Sequence, residues 1–446
     1  MEECTKKTVT AWGRSLMRLT GAGVALTTVL LGSAWAQDQV EIRIMAVDSY
    51  AKSWQDNLVP KFNEAFPNIK VTIDATTGAE MLAKMMLDAV DPNPVYDIVL
   101  ADDPWVPQLA EIGALKDLKG PEIAAMTDPG YDWDDFNATP LAAGEWKGGQ
   151  YAVPVRSNML LMFYNRELYQ KAGLPEPTPA LTWDEFFEQS PKLFLDTDGD
   201  GNVDAWPFTT FFSRDVLTPT IWQTILNSNG GQLLDENNKA AFNNDLGKAA
   251  LQTHIDLLKF APTGGVSHSF NESLQAFRQG QVATMFMWGS VFKGTAVDPK
   301  TTTLTTDQVG IQVMPVGSES AGAHRGIWSG AVNNKSRNPA AAWALLQWLS
   351  SKEGEVWHSN TLGVFPARKS TLASTPEQEW LKPVFAALQM GYEMVDTGHM
   401  WRPRDPKSDA VQQVLADETS RAISGQVDVA GALASAEQKI NEIMGN

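Results

Sequence analysis

The chain has 446 residues, enough for two or three domains that each bury a core of their own. Its formal net charge of −18 disfavours nucleic acid and anionic membrane surfaces as partners, because like charges repel. Cys4 is the only cysteine, which excludes a scaffold held together by disulfides.

A secretory leader is the first predicted element, over residues 1–36. Arg14 and Arg18 precede the apolar run GAGVALTTVLLGSAWA, which ends in small residues before a polar segment begins. A retained membrane anchor is the alternative, but a membrane-spanning helix needs about 20 apolar residues and this run is shorter. The leader predicts export to the periplasm followed by cleavage.

Strands and helices are predicted to alternate after the leader. EIRIMAV, IKVTIDAT and YDIVLAD are typical of strands, and Trp54, Leu58, Phe62 and Phe66 have the spacing of one helix face. This alternation indicates an α/β sheet of parallel strands with right-handed crossovers. Ligands of such sheets bind beyond the carboxyl ends of the strands. The candidate binding residues at these ends are Asp48, Ser49, Thr76, Thr77, Asp102, Asp103 and Trp105.

Later segments continue the mixed pattern. YAVPVRSNMLLMFYN is a long extended segment, and Thr182 with Glu185 forms the capping-box pattern of a helix start. VATMFMW is typical of a buried strand, and the last hundred residues are predicted to be mostly helical. Since no long linker separates these segments, the chain is predicted to cross between lobes several times.

Local motifs of catalysis are missing from the sequence. There is no phosphate-binding loop, no HExxH zinc motif and no GxSxG elbow, and the five histidines are scattered. This favours a binding protein over an enzyme. A secreted glycoside hydrolase remains the alternative, because two carboxylates brought together by folding leave no local pattern.

Tryptophan is unusually abundant, with sixteen residues. Large amphipathic rings stack well on the apolar faces of sugars, while neighbouring polar groups bind the hydroxyls. Trp343, Trp348 and Trp357 lie on patterned helical faces and are predicted to be core residues. The candidates for contact with a ligand lie near strand ends, glycines or prolines: Trp105, Trp222, Trp288, Trp328 and Trp401.

The stretch LFLDTDGDGNVDAW resembles a calcium-binding loop. The candidate metal ligands are Asp196, Asp198, Asp200, Asn202 and Asp204. However, Pro207 replaces the glutamate that completes an EF-hand, and the following AWPFTTFF is typical of a strand. A tight Asp/Gly turn leading into a strand is therefore the other interpretation. A calcium-dependent adhesion module is a further functional alternative, and it predicts that a chelator abolishes ligand binding.

Four segments, in order along the chain, resemble the extracellular solute-binding proteins of bacterial ATP-driven sugar importers, the group that includes maltose-binding protein. They are YDIVLADDPWVPQLAEIGALKDL, YAVPVRSNMLLMFYNRELYQKAGLPEPTPALTWDEFF, SLQAFRQGQVATMFMWGS and WSGAVNNKSRNPAAAWALLQWLSSKEGEVWHSNTLGVFPARKS. The resemblance covers essentially the whole chain after the leader, and its motifs are specific in combination.

The resemblance implies the α/β type II periplasmic-binding-protein fold, with two lobes joined by hinge strands and a ligand cleft between them. Residues 37–155 and 308–336 are expected to form the first lobe, and residues 156–307 and 337–446 the second. The implied ligand-binding residues are Asp48, Thr77, Asp102, Asp103 and Trp105 in the first lobe, Arg156 and Asn158 at the hinge, Trp222, Asn229 and Trp288 opposite, and Trp328, Ser329, Trp401 and Arg402 at the rim.

The expected function is capture of a sugar in the periplasm and its delivery to the membrane permease of an ATP-driven importer. The resemblance implies a monomer without catalytic activity, which requires no cofactor other than a candidate structural calcium ion. A polyol or another small organic solute is the alternative ligand.

Overall fold

The computed structural model describes residues 39–322, 324–394 and 402–445. The predicted leader and Trp401 lie outside the described residues. Within these ranges, no helix combines the length and apolar character that a membrane crossing requires.

The described strands, in chain order, are β1 Val40–Val47, β2 Ile69–Thr76, β3 Ile98–Asp102, β4 Glu145–Trp146, β5 Gly149–Gln150, β6 Val153–Arg156, β7 Leu160–Asn165, β8 Trp206–Thr209, β9 Val282–Trp288, β10 Val309–Gln312 and β11 Trp328–Val332. The helices of the first half are α1 Asp48–Ser53, α2 Val59–Ala65, α3 Gly78–Val90, α4 Val106–Glu111, α5 Pro121–Ala124, α6 Ala138–Ala142, α7 Arg166–Lys171, α8 Trp183–Gln189 and α9 Thr218–Ser228. Those of the second half are α10 Asp245–Leu257, α11 Phe270–Arg278, α12 Phe292–Ala296, α13 Pro339–Leu349, α14 Lys352–Leu362, α15 Lys369–Leu372, α16 Leu381–Met394, α17 Ser408–Ile423 and α18 Val429–Met444.

The first sheet has the strand order β2-β1-β3-β11-β6. As the sequence predicted, β1 is parallel to both β2 and β3, and its apolar residues are buried as in other parallel sheets. β11 is antiparallel to β3 and to β6, so a strand from late in the chain lies in the middle of this sheet.

The second sheet has the order β10-β7-β9-β8. β7 is antiparallel to β10 and β9, whereas β8 is parallel to β9. Every residue of β9 is buried, which explains its continuous apolar sequence. The predicted capping box is confirmed at the start of α8, where Thr182 and Glu185 bond each other's backbone N–H groups.

The two lobes are organised around these sheets, and the chain crosses between them. β6 of the first sheet is followed within a few residues by β7 of the second, and β10 of the second precedes β11 of the first. Two parts of the predicted lobe boundaries are wrong. Val309–Gln312 belongs to the second sheet, because it pairs with β7.

The other wrong part is the segment of α13, which was predicted for the second lobe but packs on the first. Trp343 and Leu346 of this helix are buried in the core of the first lobe. Leu346 approaches β11 so closely that a Cβ at Gly330 would lie 2.3 Å from its Cδ2. Only a strand residue without a side chain permits this helix-to-sheet contact, and no periodicity of the helix itself predicts it.

Candidate functional site

The candidate site lies where the carboxyl ends of strands from both sheets meet. In the first lobe, Val47 pairs with Thr76, so Asp48 and Thr77 leave the sheet side by side. Asp48, Ser49 and Thr77 are exposed, and the Asp48 carboxylate accepts the Ser49 N–H (2.7 Å). β3 ends at Asp102, as predicted, and the next three residues form a short 3-10 turn.

Three charged side chains form the ion cluster, which consists of Asp102, Asp103 and Arg402. Nη1 and Nη2 of Arg402 donate to the two carboxylate oxygens of Asp102, each at 2.6 Å. Nη2 also donates to Oδ1 of Asp103. Asp103 is fully buried, and its Oδ2 has no hydrogen-bond partner among the described residues. This bidentate geometry gives a strong, directional ion pair.

The ion cluster connects the end of the first sheet with the C-terminal part of the chain. Arg402 precedes α17, which packs against α9, α10 and α18 of the second lobe and also touches the turn after Asp102. Arg402 also lies beside Gly326, where its Nη2 would be 3.7 Å from an added Cβ. The cluster therefore bridges the two lobes.

Burial and the neighbouring charges shift the pKa values of the cluster. Burial is the main cause that raises the pKa of Asp103 to about 7, while the charge of Arg402 lowers this pKa and that of Asp102 raises it. For Arg402, burial lowers the pKa, but the two carboxylates outweigh it and raise the pKa above its usual range. The guanidinium is therefore charged at every physiological pH.

Aromatic rings form a wall next to the cluster. Trp328 is half-buried and lies edge-on to Trp105 (centroids 5.6 Å apart) and to Tyr50 (5.8 Å). The guanidinium of Arg156 lies over the Tyr50 ring, with its carbon 4.1 Å from the ring centroid. Trp328 pairs with Asp102 on one side and Arg156 on the other, so three neighbouring strands present a carboxylate, an indole and a guanidinium in a row.

The second lobe contributes Trp288, at the carboxyl end of β9. A Cβ at Gly326 would lie 2.9 Å from the Trp288 ring, so the glycine allows the backbone to pass directly against the indole. His324 lies edge-on to the same ring, with centroids 5.9 Å apart. Burial first, and then the charge of Arg402, lower the pKa of His324 well below its usual value, so this imidazole is neutral.

Asn158 lies between β6 and β7, where the chain crosses from one lobe to the other. Its Oδ1 accepts the Ser290 N–H (3.1 Å), and its Nδ2 donates to the Ser290 hydroxyl (3.0 Å). Both ends of the amide are therefore used to join the crossing segment to the end of β9.

The sequence of the chain matches the model of a known protein family. The model of the bacterial extracellular solute-binding protein family matches residues 48–356. The chain belongs to this family. Membership places this solute-binding protein outside the cytoplasm and agrees with the two-lobed fold.

Related proteins cover most of the chain. It is 26% identical over 313 residues to a probable amino-acid ABC transporter periplasmic-binding protein of Sinorhizobium fredii, covering 70% of this chain but 65% of that protein, which is less than two thirds. It is 27% identical over 322 residues to a mannitol-binding protein of Pseudomonas aeruginosa, covering 69% of this chain and 72% of that protein. A solved ABC transporter solute-binding protein of Agrobacterium radiobacter K84, in complex with ribitol, has a TM-score of 0.77 at 24% identity and covers 91% of this chain and 99% of that chain. At this identity the structural likeness shows the fold.

Three residues predicted for the ligand site of this solute-binding protein have other positions. Trp222 is fully buried in the second-lobe core, where its indole N–H donates to the Gly247 carbonyl (3.1 Å). Asn229 joins the end of α9 to the Ser318 N–H (3.0 Å). Ser329 is fully buried inside the first sheet. Trp222 and Ser329 are thus enclosed by the protein itself, and the amide of the half-buried Asn229 attaches a loop.

Tyr50 and His324 were missed by the sequence reasoning. Tyr50 comes two residues after the selected Asp48, on the first turn of α1, so a wider window around each strand end would have found it. His324 lies in the segment between β10 and β11, where no local pattern indicates that it meets Trp288.

The acidic loop, residues 196–204, lies apart in the sequence from this site and leads into β8. Asp196, Asp198 and Asp204 each present a carboxylate oxygen, and these oxygens lie within 4.8 Å of one another. Asp196 also accepts the Gly199 and Gly201 N–H groups (2.6 and 2.8 Å). These bonds make a tight turn that its own side chains support, and the predicted strand after it is confirmed as β8.

Proposed function

We propose that this solute-binding protein captures a sugar or polyol between its lobes and delivers it to the permease of an ABC importer. The observation that carries the proposal is the convergence of indole rings, carboxylates and guanidinium groups from both lobes on the Gly326 segment. Aromatic faces stack on the C–H surfaces of a carbohydrate, and the polar groups bind its hydroxyls. The mannitol-binding relative supports the same class of ligand.

Lobe closure explains how such a site binds and signals. A solute that touches both lobes stabilises the closed form over the open form, and a permease can recognise the closed shape. A dissociation constant near a micromolar corresponds to about −8 kcal/mol, which a few stacked rings and hydrogen bonds supply.

A ligand screen tests the proposal directly. The purified protein without its leader is mixed with ribitol, mannitol, glucose, maltose, longer oligosaccharides and neutral amino acids, while tryptophan fluorescence and melting temperature are followed. We expect saturable shifts with at least one sugar or polyol and no product in the same samples. Binding of amino acids alone contradicts the proposed ligand class and favours the function named for the Sinorhizobium fredii relative. Turnover of a glycoside contradicts transport and favours a hydrolase.

We also propose that residues 1–36 direct export and are cleaved, and that the protein acts as a monomer without catalytic activity. The basic and apolar sequence of the leader supports the first part. Mass spectrometry of periplasmic protein expressed from the full gene is expected to find a chain that begins at Gln37, and light scattering is expected to give the mass of one chain.

Solute binding, we infer, requires no cofactor, and calcium at the acidic loop affects stability alone. The three carboxylate oxygens within 4.8 Å of one another belong to a loop with its own hydrogen bonds, remote in sequence from the ion cluster. We expect a calcium chelator, and the variant Asp198→Asn/Asp200→Asn, to change the dissociation constant for solute less than about twofold, a difference under about 0.5 kcal/mol. Melting temperatures with and without calcium serve as the second measurement. Loss of solute binding on chelation contradicts the inference and favours an adhesion module.

A further inference from the structure

The charge of Arg402 is compensated within the protein. Both terminal nitrogens of Arg402 already donate to carboxylates, two bonds to Asp102 and one to Asp103. A second guanidinium of the site, that of Arg156, lies over the Tyr50 ring. Two carboxylates, those of Asp102 and Asp103, thus hold the one guanidinium of Arg402 and compensate its charge.

This arrangement matters for the charge of the solute. A phosphate or carboxylate is usually bound by an arginine that offers two parallel N–H donors, and Arg402 has both of its terminal nitrogens engaged. An anionic solute beside Arg402 would also lie near the carboxylate of Asp102, and the fully buried Asp103 adds to the negative charge whenever it is ionised. Repulsion between like charges is strong at buried positions, because the local dielectric constant is low.

We infer that Asp102 and Asp103 are specificity-determining residues that reject anionic solutes by neutralising Arg402. The inference rests on the proposed function and deepens it, because it names uncharged polyhydroxyl compounds as the ligand class and sugar acids and sugar phosphates as rejected analogues. Asp102 is well suited to this role, since it ends β3, pairs across the sheet with Trp328 and thereby fixes the guanidinium beside the aromatic wall.

A variant in which both residues are amides isolates the effect of charge. Asp102→Asn/Asp103→Asn keeps the side-chain volumes and leaves an amide oxygen that can accept the Asp103 backbone N–H, as Asp102 does now at 3.1 Å. Affinities are measured by calorimetry for two matched pairs of probes, D-mannitol with D-mannonate and D-glucose with D-glucuronate. The triple variant that adds Arg402→Gln tests whether a gain in anion binding depends on the guanidinium.

The wild-type protein is expected to bind a neutral probe at least 100-fold more tightly than its acid. In the double variant this ratio is expected to fall at least tenfold, chiefly through a gain for the acid that added salt weakens. The triple variant is expected to lose that gain. The matched control is Glu111→Gln/Glu122→Gln, which removes two exposed carboxylates from ion pairs with Lys147 and Lys116 and should leave the ratio unchanged.

Three outcomes overturn the inference. If the wild-type protein binds a neutral probe and its acid equally well, there is no discrimination for the two aspartates to explain. If the ratio of the two affinities stays within threefold of the wild-type value in a double variant that melts cooperatively, this result assigns the discrimination to other groups. A gain in affinity for the acid that persists in the triple variant leads to the same conclusion. In all three cases the proposed function stands, because a neutral solute is still bound. By contrast, failure of the wild-type protein to bind any compound of the wider sugar and polyol screen overturns the proposed function and this inference together.

Discussion

Replacement of Arg402 by alanine is expected to lower the free energy of unfolding by about 3–5 kcal/mol, the usual loss when one partner of a buried ion pair is removed. Asp103 is fully buried, and its Oδ1 bonds Arg402. Without the guanidinium, Asp103 must either keep its charge in the protein interior without this partner or take up a proton, and both states cost stability. Urea denaturation followed by tryptophan fluorescence measures the loss.

The loss should depend on pH in a defined direction. Burial is the main cause that raises the pKa of Asp103 to about 7, and removing Arg402 raises this pKa further. In both proteins the folded state keeps a proton that the unfolded state releases near its ordinary pKa of about 3.9, so stability falls as pH rises from about 4. This fall ends near pH 7 in the wild-type protein but continues to higher pH in the variant, so the deficit of the variant widens above about pH 7. We expect a smaller deficit at pH 5 than at pH 8.

A matched control uses the exposed pair of Arg43 and Asp74, whose side chains are 42% and 34% exposed. Arg43→Ala should cost at most about 1 kcal/mol and show little dependence on pH. If Arg402→Ala lowers the free energy of unfolding at pH 8 by no more than this control, the ion cluster does not stabilise the contact between the two lobes.

Two tryptophans are expected to respond in opposite ways to replacement by alanine. Trp222 fills the second-lobe core, so Trp222→Ala should cost about 3–5 kcal/mol of stability through the cavity that it leaves. Trp328 is half-buried beside Tyr50 and Trp105, so its loss should weaken solute binding about 30-fold, equivalent to about 2 kcal/mol, with a smaller effect on stability.

Binding and melting measurements on both variants check this contrast. Since Trp222→Ala could leave too little folded protein, Trp222→Phe provides a second variant that keeps most of the ring volume and loses the bond to the Gly247 carbonyl. Its affinity for solute should equal that of the wild-type protein within about twofold. A large loss of affinity in Trp222→Phe, or none in Trp328→Ala, would reverse the assignment of the two residues.

Much of the architecture could be predicted from the sequence, because its signals are local. The apolar runs of β1 and β3, the capping box at Thr182 and the polar residues that end each strand all lie within windows of a few residues. Parallel strands have their carboxyl ends at one edge of a sheet, so Asp102 and Trp105 were selected correctly as strand-end residues, although their contact with solute stays a prediction.

The role of each tryptophan was not local in this sense. Trp222 and Trp328 both occur near polar or small residues, and nothing in either neighbourhood says which ring is enclosed. Trp222 is buried because α9 packs against α10 and α17, which follow it by tens to almost two hundred residues. Because these distant helices bury Trp222, the types of the neighbouring residues in the sequence say little about whether its ring is buried.

The class of fold, the βα rhythm of the first lobe and the strand ends at which polar groups gather could be predicted from local sequence, because neighbouring residues encode hydrogen-bonded segments and caps. Three features required the folded chain: β10 joins the second sheet, α13 covers the first, and Arg402 meets Asp102, 300 residues earlier in the chain. The physical reason is the same in each case. Each of these features is a contact between segments that are distant in the chain: strands pair, a helix packs against Gly330, and a buried charge is compensated. The free energy of such contacts depends on which surfaces the whole fold brings together.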